Sequence, residues 1–255
     1  MVGRFRVGGL LVQLSGEARA LEAIERAWAA FADGGDADAE LVLEVDPSRP
    51  RARAPVAMPE VRAGAVSAAS FEARISADGR TARVRGADER YGVESALKVL
   101  LAARLAEAGG LLVHGVALAW RGRAALFTGP SGAGKSTLGA LGRRAGLELL
   151  SDELVAVWPG WRVEGTPWNE GAAGGAALAG VGTLGWADSA RLERAPAASV
   201  VRVLAGNVLL PDPGPDGKAR AFRAQAALMS AVRSWTLWFA KDADVGGALR
   251  EALEA

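Results

Sequence analysis

Apolar residues in the N-terminal part of the chain follow the periods of both strands and helices. Residues 9–14 and 40–45 have the pattern of strands. Between positions 17 and 33, apolar residues recur at helical spacing, at Leu21, Ile24, Trp28 and Phe31. This combination predicts an α/β arrangement in which the helical stripe packs into a core.

Breakers of regular structure interrupt the stretch that follows. Residues 46–64 contain four prolines and are predicted to form a solvated loop. Residues 71–76 and 81–84 flank Asp78-Gly79. Because Asp-Gly favours the positive φ of tight turns, these two segments are predicted to pair as a hairpin.

A long apolar helix and a second hairpin are predicted for the middle of the chain. Residues 91–108 have a broad apolar face and end at Gly109-Gly110, which indicates a buried helix with a glycine stop. Residues 111–120 and 123–128 are largely apolar and flank a turn at Arg121-Gly122, so they are predicted to be antiparallel strands.

The C-terminal pattern continues the alternation of strands and helices. Strands are predicted at 147–151, 154–158 and 235–240, and helices at 222–232 and 245–255. We expect a domain boundary near residue 88. It separates a smaller N-terminal α/β part, residues 1–88, from a larger domain, residues 89–255.

Composition narrows the class of protein. The 255 residues are 50% hydrophobic, and 30 basic residues balance 29 acidic ones, so no excess charge attracts the chain to nucleic acid or to a membrane surface. The chain has no cysteine, which excludes disulfides and cysteine-based zinc sites. No apolar run approaches the ~18 residues of a membrane helix, and the N-terminus lacks a signal-like pattern. A folded cytoplasmic protein is expected.

The strongest chemical signal is the string GPSGAGKST from Gly129 to Thr137, which matches the phosphate-loop pattern GxxxxGK[ST]. Its glycines let backbone N–H groups turn towards phosphate oxygens, and the following helix N-terminus adds its positive end. Lys135 then reaches the β- and γ-phosphates of a nucleoside triphosphate, and the Ser136 hydroxyl ligates Mg2+. The predicted nucleotide-binding residues are Gly129, Ser131, Gly132, Ala133, Gly134, Lys135, Ser136 and Thr137.

Two further segments accompany this string. Val113-His114-Gly115-Val116 precedes it, and Leu150-Ser151-Asp152-Glu153-Leu154 follows it, with Asp152 17 positions after Lys135. Together the three segments resemble the catalytic domain of HPr kinase/phosphorylase and its relatives, including kinase-like proteins of peptide-modification gene clusters, and more distantly phosphoenolpyruvate carboxykinase. The resemblance covers roughly residues 91–255. It implies an α/β fold with a P-loop nucleotide-binding domain of this type on a mixed sheet.

The resemblance also implies a reaction, the transfer of a phosphoryl group from ATP to a hydroxyl. Lys135 would contact phosphate, Ser136 would hold Mg2+, and Asp152 and Glu153 would share metal binding and general-base work, with His114 close to the transferred group. Such transfer independently requires charge neutralisation and a carboxylate that accepts the hydroxyl proton. Asp152 is the predicted base. The expected acceptor is a Ser or Thr of a peptide or protein, or a small molecule.

Departures from the family pattern keep a second function open. Glu153 stands where the family more often has a second aspartate, and Thr137 replaces an acidic residue that follows the loop serine. HPr is therefore not the expected acceptor. The alternative is a nucleotide-binding regulator or partner-binding protein without turnover. The chain is also compatible with a homo-oligomer.

Two side-chain assignments stay open at this point. His114 is the only histidine, and on an apolar strand it could be a packed residue instead of a site residue. Three tryptophans near the predicted site could stack on a substrate, although large aromatic side chains mainly pack. They are Trp158, Trp161 and Trp168.

Overall fold

The computed structural model describes residues 2–16, 19–53, 59–62 and 64–254, and within them the chain divides into two α/β units. The first unit contains Met1–Ala108 and Leu210–Arg220, and the second contains Gly109–Leu209 and Ala221–Ala255. Each unit has a sheet with both parallel and antiparallel pairs. The predicted α/β class with a mixed sheet is therefore confirmed.

The first unit has one sheet, two complete α-helices and the first part of a third, residues 215–220, among its described residues. Its strands are β1 (Val2–Val7), β2 (Leu10–Ser15), β3 (Ala39–Val45), β4 (Glu60–Arg62), β5 (Ala65–Ala68), β6 (Phe71–Ile75) and β7 (Thr81–Gly86). Its helices are α1 (Arg19–Ala27), a short 3-10 helix (Ala29–Phe31) and α2 (Arg90–Ala108). The strand order is β1-β2-β3-β7-β6-β5-β4. The pairs β2–β3 and β3–β7 are parallel.

The core of this unit lies between its sheet and its helices. Alternate residues of β6 and β7 are buried, and α2 packs against both strands. The predicted stripe of Leu21, Ile24, Trp28 and Phe31 is buried, and the predicted hairpin is the antiparallel pair β6–β7. Because α2 is packed on this sheet, the boundary between the units follows Ala108. This boundary lies about 20 residues after the predicted one near residue 88.

The second unit has eight strands in the part of the chain that is described. They are β8 (Leu111–Trp120), β9 (Arg123–Thr128), β10 (Glu148–Ser151), β11 (Leu154–Trp158), β12 (Arg162–Glu164), β13 (Gly175–Trp186), β14 (Arg191–Arg194) and β15 (Arg233–Phe239). Its helices are α3 (Lys135–Arg144), α4 (Ala197–Ala205), the part of α5 (Pro215–Ala231) from residue 221 onward, and α6 (Gly246–Glu254).

The strand pairs of this unit include a closed circuit. β8 pairs with β9, β9 with β13, β13 with β12, β12 with β11, and β11 again with β8. The strands β9, β13 and β15 run parallel, so their carboxyl ends lie at the same edge. One cluster of buried residues combines strands with α4 and α5, and another combines strands with α3 and α6.

The largest difference from the predicted elements is β13, which lies in an Ala/Gly-rich stretch that has no strand-like alternation. The glycines are required by close packing. A Cβ on Gly180 would lie 2.4 Å from the Trp235 ring, and one on Gly182 would lie 2.7 Å from the Phe127 ring. The elements β1, β4, β5, β12, β14 and α4 were also not predicted, and α5 begins at Pro215 instead of residue 222.

The other predicted elements of this unit are confirmed, with ends that shift by a few residues. The hairpin β8–β9 turns at Arg121-Gly122 as predicted, and both residues have positive φ. Among the described helices, none is both long enough and apolar enough to cross a membrane.

Candidate functional site

The glycine-rich loop (residues 129–134) connects the end of β9 to the first turn of α3. Gly132 and Gly134 have φ of 81° and 100°, in the left-handed region that favours glycine. Gly134 is the N-cap of α3. A Cβ at this position would lie 3.0 Å from Phe239 and 3.1 Å from Trp186. The loop therefore needs glycine at 134 for its backbone conformation and for space.

Lys135 folds back across this loop. Its Nζ donates hydrogen bonds to the carbonyl oxygens of Gly129 at 2.8 Å and Pro130 at 3.1 Å. The side chain is buried, and burial lowers the pKa of Lys135 from its ordinary value. The ammonium group is thus held over the loop by neutral acceptors, in a place where a bound anion would favour its charge.

The other predicted loop residues lie at the surface of this turn. Ser131, Gly132 and Ser136 are exposed, and Ala133 and Thr137 are partly exposed. The amide of Ala133 donates to the Pro130 carbonyl at 3.1 Å. The first amides of a helix have no intrahelical acceptor, and the cap residue Gly134 has no side chain to satisfy them. The first turn of α3 therefore has N–H groups available for an anion.

The acidic corner (Asp152 and Glu153) lies between β10 and β11, beside the middle of β8. Ser151 is opposite Ala117, and Leu154 is opposite His114. The corner therefore separates the part of β8 that pairs with β10 from the part that pairs with β11. The Gly115 amide donates to the Glu153 carbonyl oxygen at 3.0 Å.

Two buried hydroxyl groups, of Ser151 and Thr166, form hydrogen bonds with the backbone of Glu153 and Leu154. The Thr166 Oγ1 donates to the Leu154 carbonyl at 2.6 Å, and the Ser151 Oγ accepts from the Glu153 amide at 3.3 Å. The two hydroxyl oxygens are 3.0 Å apart. These contacts fix the backbone of the corner, and no pattern in the sequence predicts this role of Thr166.

The carboxylate of Asp152 is buried and hydrogen-bonded on both oxygens. Oδ2 accepts from the Asn169 side-chain amide at 2.8 Å, and Oδ1 accepts from the Glu170 backbone amide at 3.0 Å. Glu170 also forms an ion pair of 2.6 Å with Arg143 of α3. The segment 169–170, for which the sequence predicts no role in the site, thus orients the predicted base.

Asp152 lies against α3 close to the Ser136 position. A Cβ on Gly139 would be 3.4 Å from the Asp152 Cβ, an ordinary contact distance, so Asp152 lies directly against this part of the helix. Ser136 precedes Gly139 by three residues, and side chains at that spacing are neighbours on a helix surface. The structure therefore places the predicted base and the predicted metal-binding hydroxyl on the same side of α3.

His114 is exposed at the surface of β8, so it is not a core residue. Its carbonyl oxygen accepts a hydrogen bond of 2.8 Å from Thr128 Oγ1, directly before the glycine-rich loop. Its amide donates to the Asn207 carbonyl at 2.7 Å. His114 therefore lies between the start of the loop and the acidic corner.

The three tryptophans that were considered for stacking differ in burial. Trp168 is buried, Trp161 packs against a hydrophobic cluster, and Trp158 is partly exposed. Trp186, which no pattern in the sequence singles out, is exposed, and its ring approaches Gly134. No sequence signal identifies it, because the strand that it ends, β13, was not predicted.

Comparisons with known proteins add no relative. No protein-family model matches the chain, and no curated protein is significantly similar to it. Within the described residues, no group of three or more His, Cys, Asp or Glu side chains is arranged to hold a metal ion. The site thus consists of a glycine-rich loop, a buried lysine at a helix N-terminus, and a carboxylate beside the same helix.

Proposed function

We propose that this chain is an ATP- and Mg2+-dependent kinase that phosphorylates a hydroxyl acceptor, with a P-loop nucleotide-binding domain of the HPr kinase/phosphorylase type. The observation that carries the proposal is the approach of Asp152 to Gly139, one helical turn from Ser136 and at the helix that begins with Lys135. Phosphate-binding, metal-binding and proton-accepting groups then surround one small volume.

Phosphate binding rests on the first turn of α3 and on Lys135. Amides of a helix N-terminus point at an anion, and the helix dipole favours negative charge there. Lys135 already lies over the loop, with its Nζ 2.8 Å from the Gly129 carbonyl oxygen. A triphosphate would replace these neutral acceptors with anionic oxygens, which is the stronger kind of hydrogen bond.

The oxygen donors near Ser136 fit Mg2+, which in kinases is bound by one or two carboxylates together with substrate phosphates. Ser136 would contribute its hydroxyl. Each oxygen of Asp152 accepts one hydrogen bond from the 169–170 segment and has a second lone pair for a cation. Glu153 would contribute through its side chain. When bound, Mg2+ would neutralise charge on the phosphates during transfer.

Asp152 would accept the proton of the acceptor hydroxyl while that oxygen forms a bond to the γ-phosphorus and the bond to the β-phosphate oxygen breaks. The products are the phosphorylated acceptor and ADP. Its two hydrogen bonds hold the carboxylate in one orientation, which is the positioning that such transfer requires. The exposed side chain of His114 would lie beside the transferred group.

The hydrogen bonds of Asp152 also support the alternative, a nucleotide-binding regulator without turnover. Both oxygens of Asp152 are engaged by residues of its own unit, and Glu170 continues the network to Arg143. A carboxylate held in this way can serve to order the 169–170 segment instead of catalysis. Cytoplasmic location, a homo-oligomer and an acceptor other than nucleic acid stay predictions from the sequence.

The deciding experiment is incubation of the protein with labelled ATP, Mg2+ and a lysate of its own cells. A kinase labels an acceptor, and Lys135→Ala and Asp152→Asn abolish the labelling. Binding of Mg-ATP that depends on Lys135 without labelling would favour the regulator. No binding of any purine triphosphate at millimolar concentration would refute both functions.

A further inference from the structure

Trp186 is an exposed aromatic side chain at the edge of the glycine-rich loop. It ends β13, and 47% of its surface is exposed. Its Cζ2 lies 3.1 Å from the position of a Cβ on Gly134. Its ring packs against Phe239 with a centroid distance of 5.1 Å and an interplanar angle of 38°. Trp186 is thus supported by Phe239 while much of its surface faces solvent.

An open groove of about 710 Å3 begins on the same side of α3. Its lining residues are Thr137, Ala140, Leu141, Arg143, Arg144 and Lys241. Gly134, which Trp186 approaches, precedes Thr137 by three residues, so both lie along one face of the helix. Lys241 follows β15, whose last residue, Phe239, is paired in register with Trp186. The aromatic ring and the cationic groove are therefore adjacent parts of one surface.

This surface and the acidic corner lie on opposite sides of the loop. In the sheet, β9 is between β8 and β13. The acidic corner lies beside β8, whereas Trp186 ends β13 and Lys241 follows β15. A triphosphate that lies along the loop with its terminal phosphate near Asp152 would have its other end towards β13 and β15.

We propose that the nucleoside of the triphosphate binds on this β13–β15 side, with its base stacked on Trp186 and its inner phosphate near Thr137 and Lys241. The proposal rests on the proposed function of the loop, and it adds a subsite for the base. Stacking on an aromatic ring accepts any base because every base has a π-face. Arg143 is already paired with Glu170, so Arg144 and Lys241 supply the cationic character of the groove.

The test compares Mg-ATP with Mg-tripolyphosphate, which has the phosphates without the nucleoside, by calorimetry on the full chain. Trp186→Ala should weaken ATP binding about 5- to 150-fold, the range of base–aromatic stacking, and should change tripolyphosphate binding by less than about twofold. Trp186→Phe should retain most of the ATP affinity. Lys241→Ala should weaken both ligands, because it removes a charge near phosphate.

The matched control is Trp120→Ala. Trp120 is the last residue of β8 and pairs with Arg123, the first residue of β9, whereas the glycine-rich loop follows the last residue of β9. The indole N–H of Trp120 donates to Glu254. This variant should bind both ligands like the wild type. Equal losses for ATP and tripolyphosphate in Trp186→Ala, or no loss for either, would overturn the base subsite.

Failure of the underlying function has a different signature. If ATP binds and Lys135→Ala abolishes the binding while Trp186→Ala has no effect, only the base subsite is wrong. If ATP does not bind to the wild type, or binds with no dependence on Lys135, both the loop function and the base subsite are wrong.

Discussion

The side-chain amide of Asn169 donates a hydrogen bond of 2.8 Å to Oδ2 of Asp152, across 17 positions of the chain. Asn169 has a φ of 57°, in the left-handed region that asparagine tolerates better than most residues. The backbone amide of Glu170 donates a hydrogen bond of 3.0 Å to the other carboxylate oxygen of Asp152, Oδ1. The position of Asp152 therefore depends on a segment outside the corner between β10 and β11 that contains it.

Asp152→Asn should lose both stability and phosphoryl transfer. The new amide oxygen can accept from the Glu170 amide, and its NH2 group then faces Asn169, whose side chain must turn its own oxygen towards it. Two hydrogen bonds to a buried carboxylate become neutral ones, which should cost about 1–3 kcal/mol of unfolding free energy. Transfer should be abolished because the amide cannot accept the hydroxyl proton, while ATP binding should be largely retained. Denaturant unfolding and the labelling assay measure the two effects.

The double variant Asp152→Asn with Asn169→Asp separates structure from chemistry. It exchanges the two side chains, so the new amide donates to the new carboxylate and its oxygen can still accept from Glu170. Stability should return to within about 0.5 kcal/mol of the wild type, the size of an ordinary surface change, and transfer should not return. Transfer at a near wild-type rate in Asp152→Asn would identify another base, with Glu153 as the first candidate.

Gly139 and Gly142 on α3 should respond oppositely to alanine. A Cβ on Gly139 meets the Asp152 Cβ at 3.4 Å, an ordinary contact, whereas a Cβ on Gly142 meets the Leu118 methyls at 2.6 Å. Gly139→Ala should therefore raise the unfolding free energy by about 0.5–1 kcal/mol through helix propensity. Gly142→Ala should lower it by about 1–3 kcal/mol through overpacking. Destabilisation by Gly139→Ala would mean that Asp152 lies closer to the added methyl group than the ordinary contact distance of 3.4 Å.

The parts of the site that could be predicted are contiguous in the sequence. The string from Gly129 to Thr137 carries its own signal, because each residue type has a local requirement such as the positive φ of Gly132 and Gly134. Asp152 was found by its place in a family pattern. Asn169 carried no signal, since its role arises only when the 169–170 segment folds back onto the end of β10.

Elements with their own hydrophobic periodicity were predicted, whereas elements whose residues are determined by packing against distant parts of the chain were missed. The helix α2 and the hairpin β8–β9 have patterns that stand alone. β13 has glycines at 180 and 182 because the Trp235 and Phe127 rings occupy the space of a side chain, and a single sequence does not reveal those neighbours. Trp186 was missed for the same reason, as it is the last residue of that strand.

His114→Ala should lower turnover far more than stability. The side chain is exposed, and its backbone contacts to Thr128 and Asn207 do not depend on the imidazole. The unfolding free energy should therefore change by no more than about 1 kcal/mol, the net contribution of one hydrogen bond. A group beside the transferred phosphoryl should be worth roughly 10- to 1,000-fold in rate. Melting temperature and initial rate are measured on the same preparation. A His114→Ala variant that melts at a lower temperature than the wild type but keeps its specific activity would show that His114 has a structural role.

Lys135→Met should make the ligand-free protein more stable. The ammonium is buried against two neutral carbonyls, and burial lowers the pKa of Lys135 below its ordinary value of 10.5. A lowered pKa in the folded state means that the unfolded chain holds this proton more tightly, so the charged lysine opposes folding. Methionine has a similar length and no charge. The variant should melt about 2–4 °C higher, which corresponds to about 1 kcal/mol in a chain of this size.

The pH dependence and the effect of ligand test this explanation of the Lys135→Met result. The penalty on the wild type is complete below the lowered pKa of Lys135 and is relieved as pH rises towards the ordinary value of 10.5. The advantage of Lys135→Met should therefore be largest near neutral pH and should shrink by about pH 10. Saturating Mg-ATP, at about 100 times its Kd, should stabilise the wild type by about 2.7 kcal/mol and leave the variant unchanged, so the order reverses. A variant that melts below the ligand-free wild type at every pH would show instead that the two hydrogen bonds of Lys135 to the loop outweigh the burial of its charge.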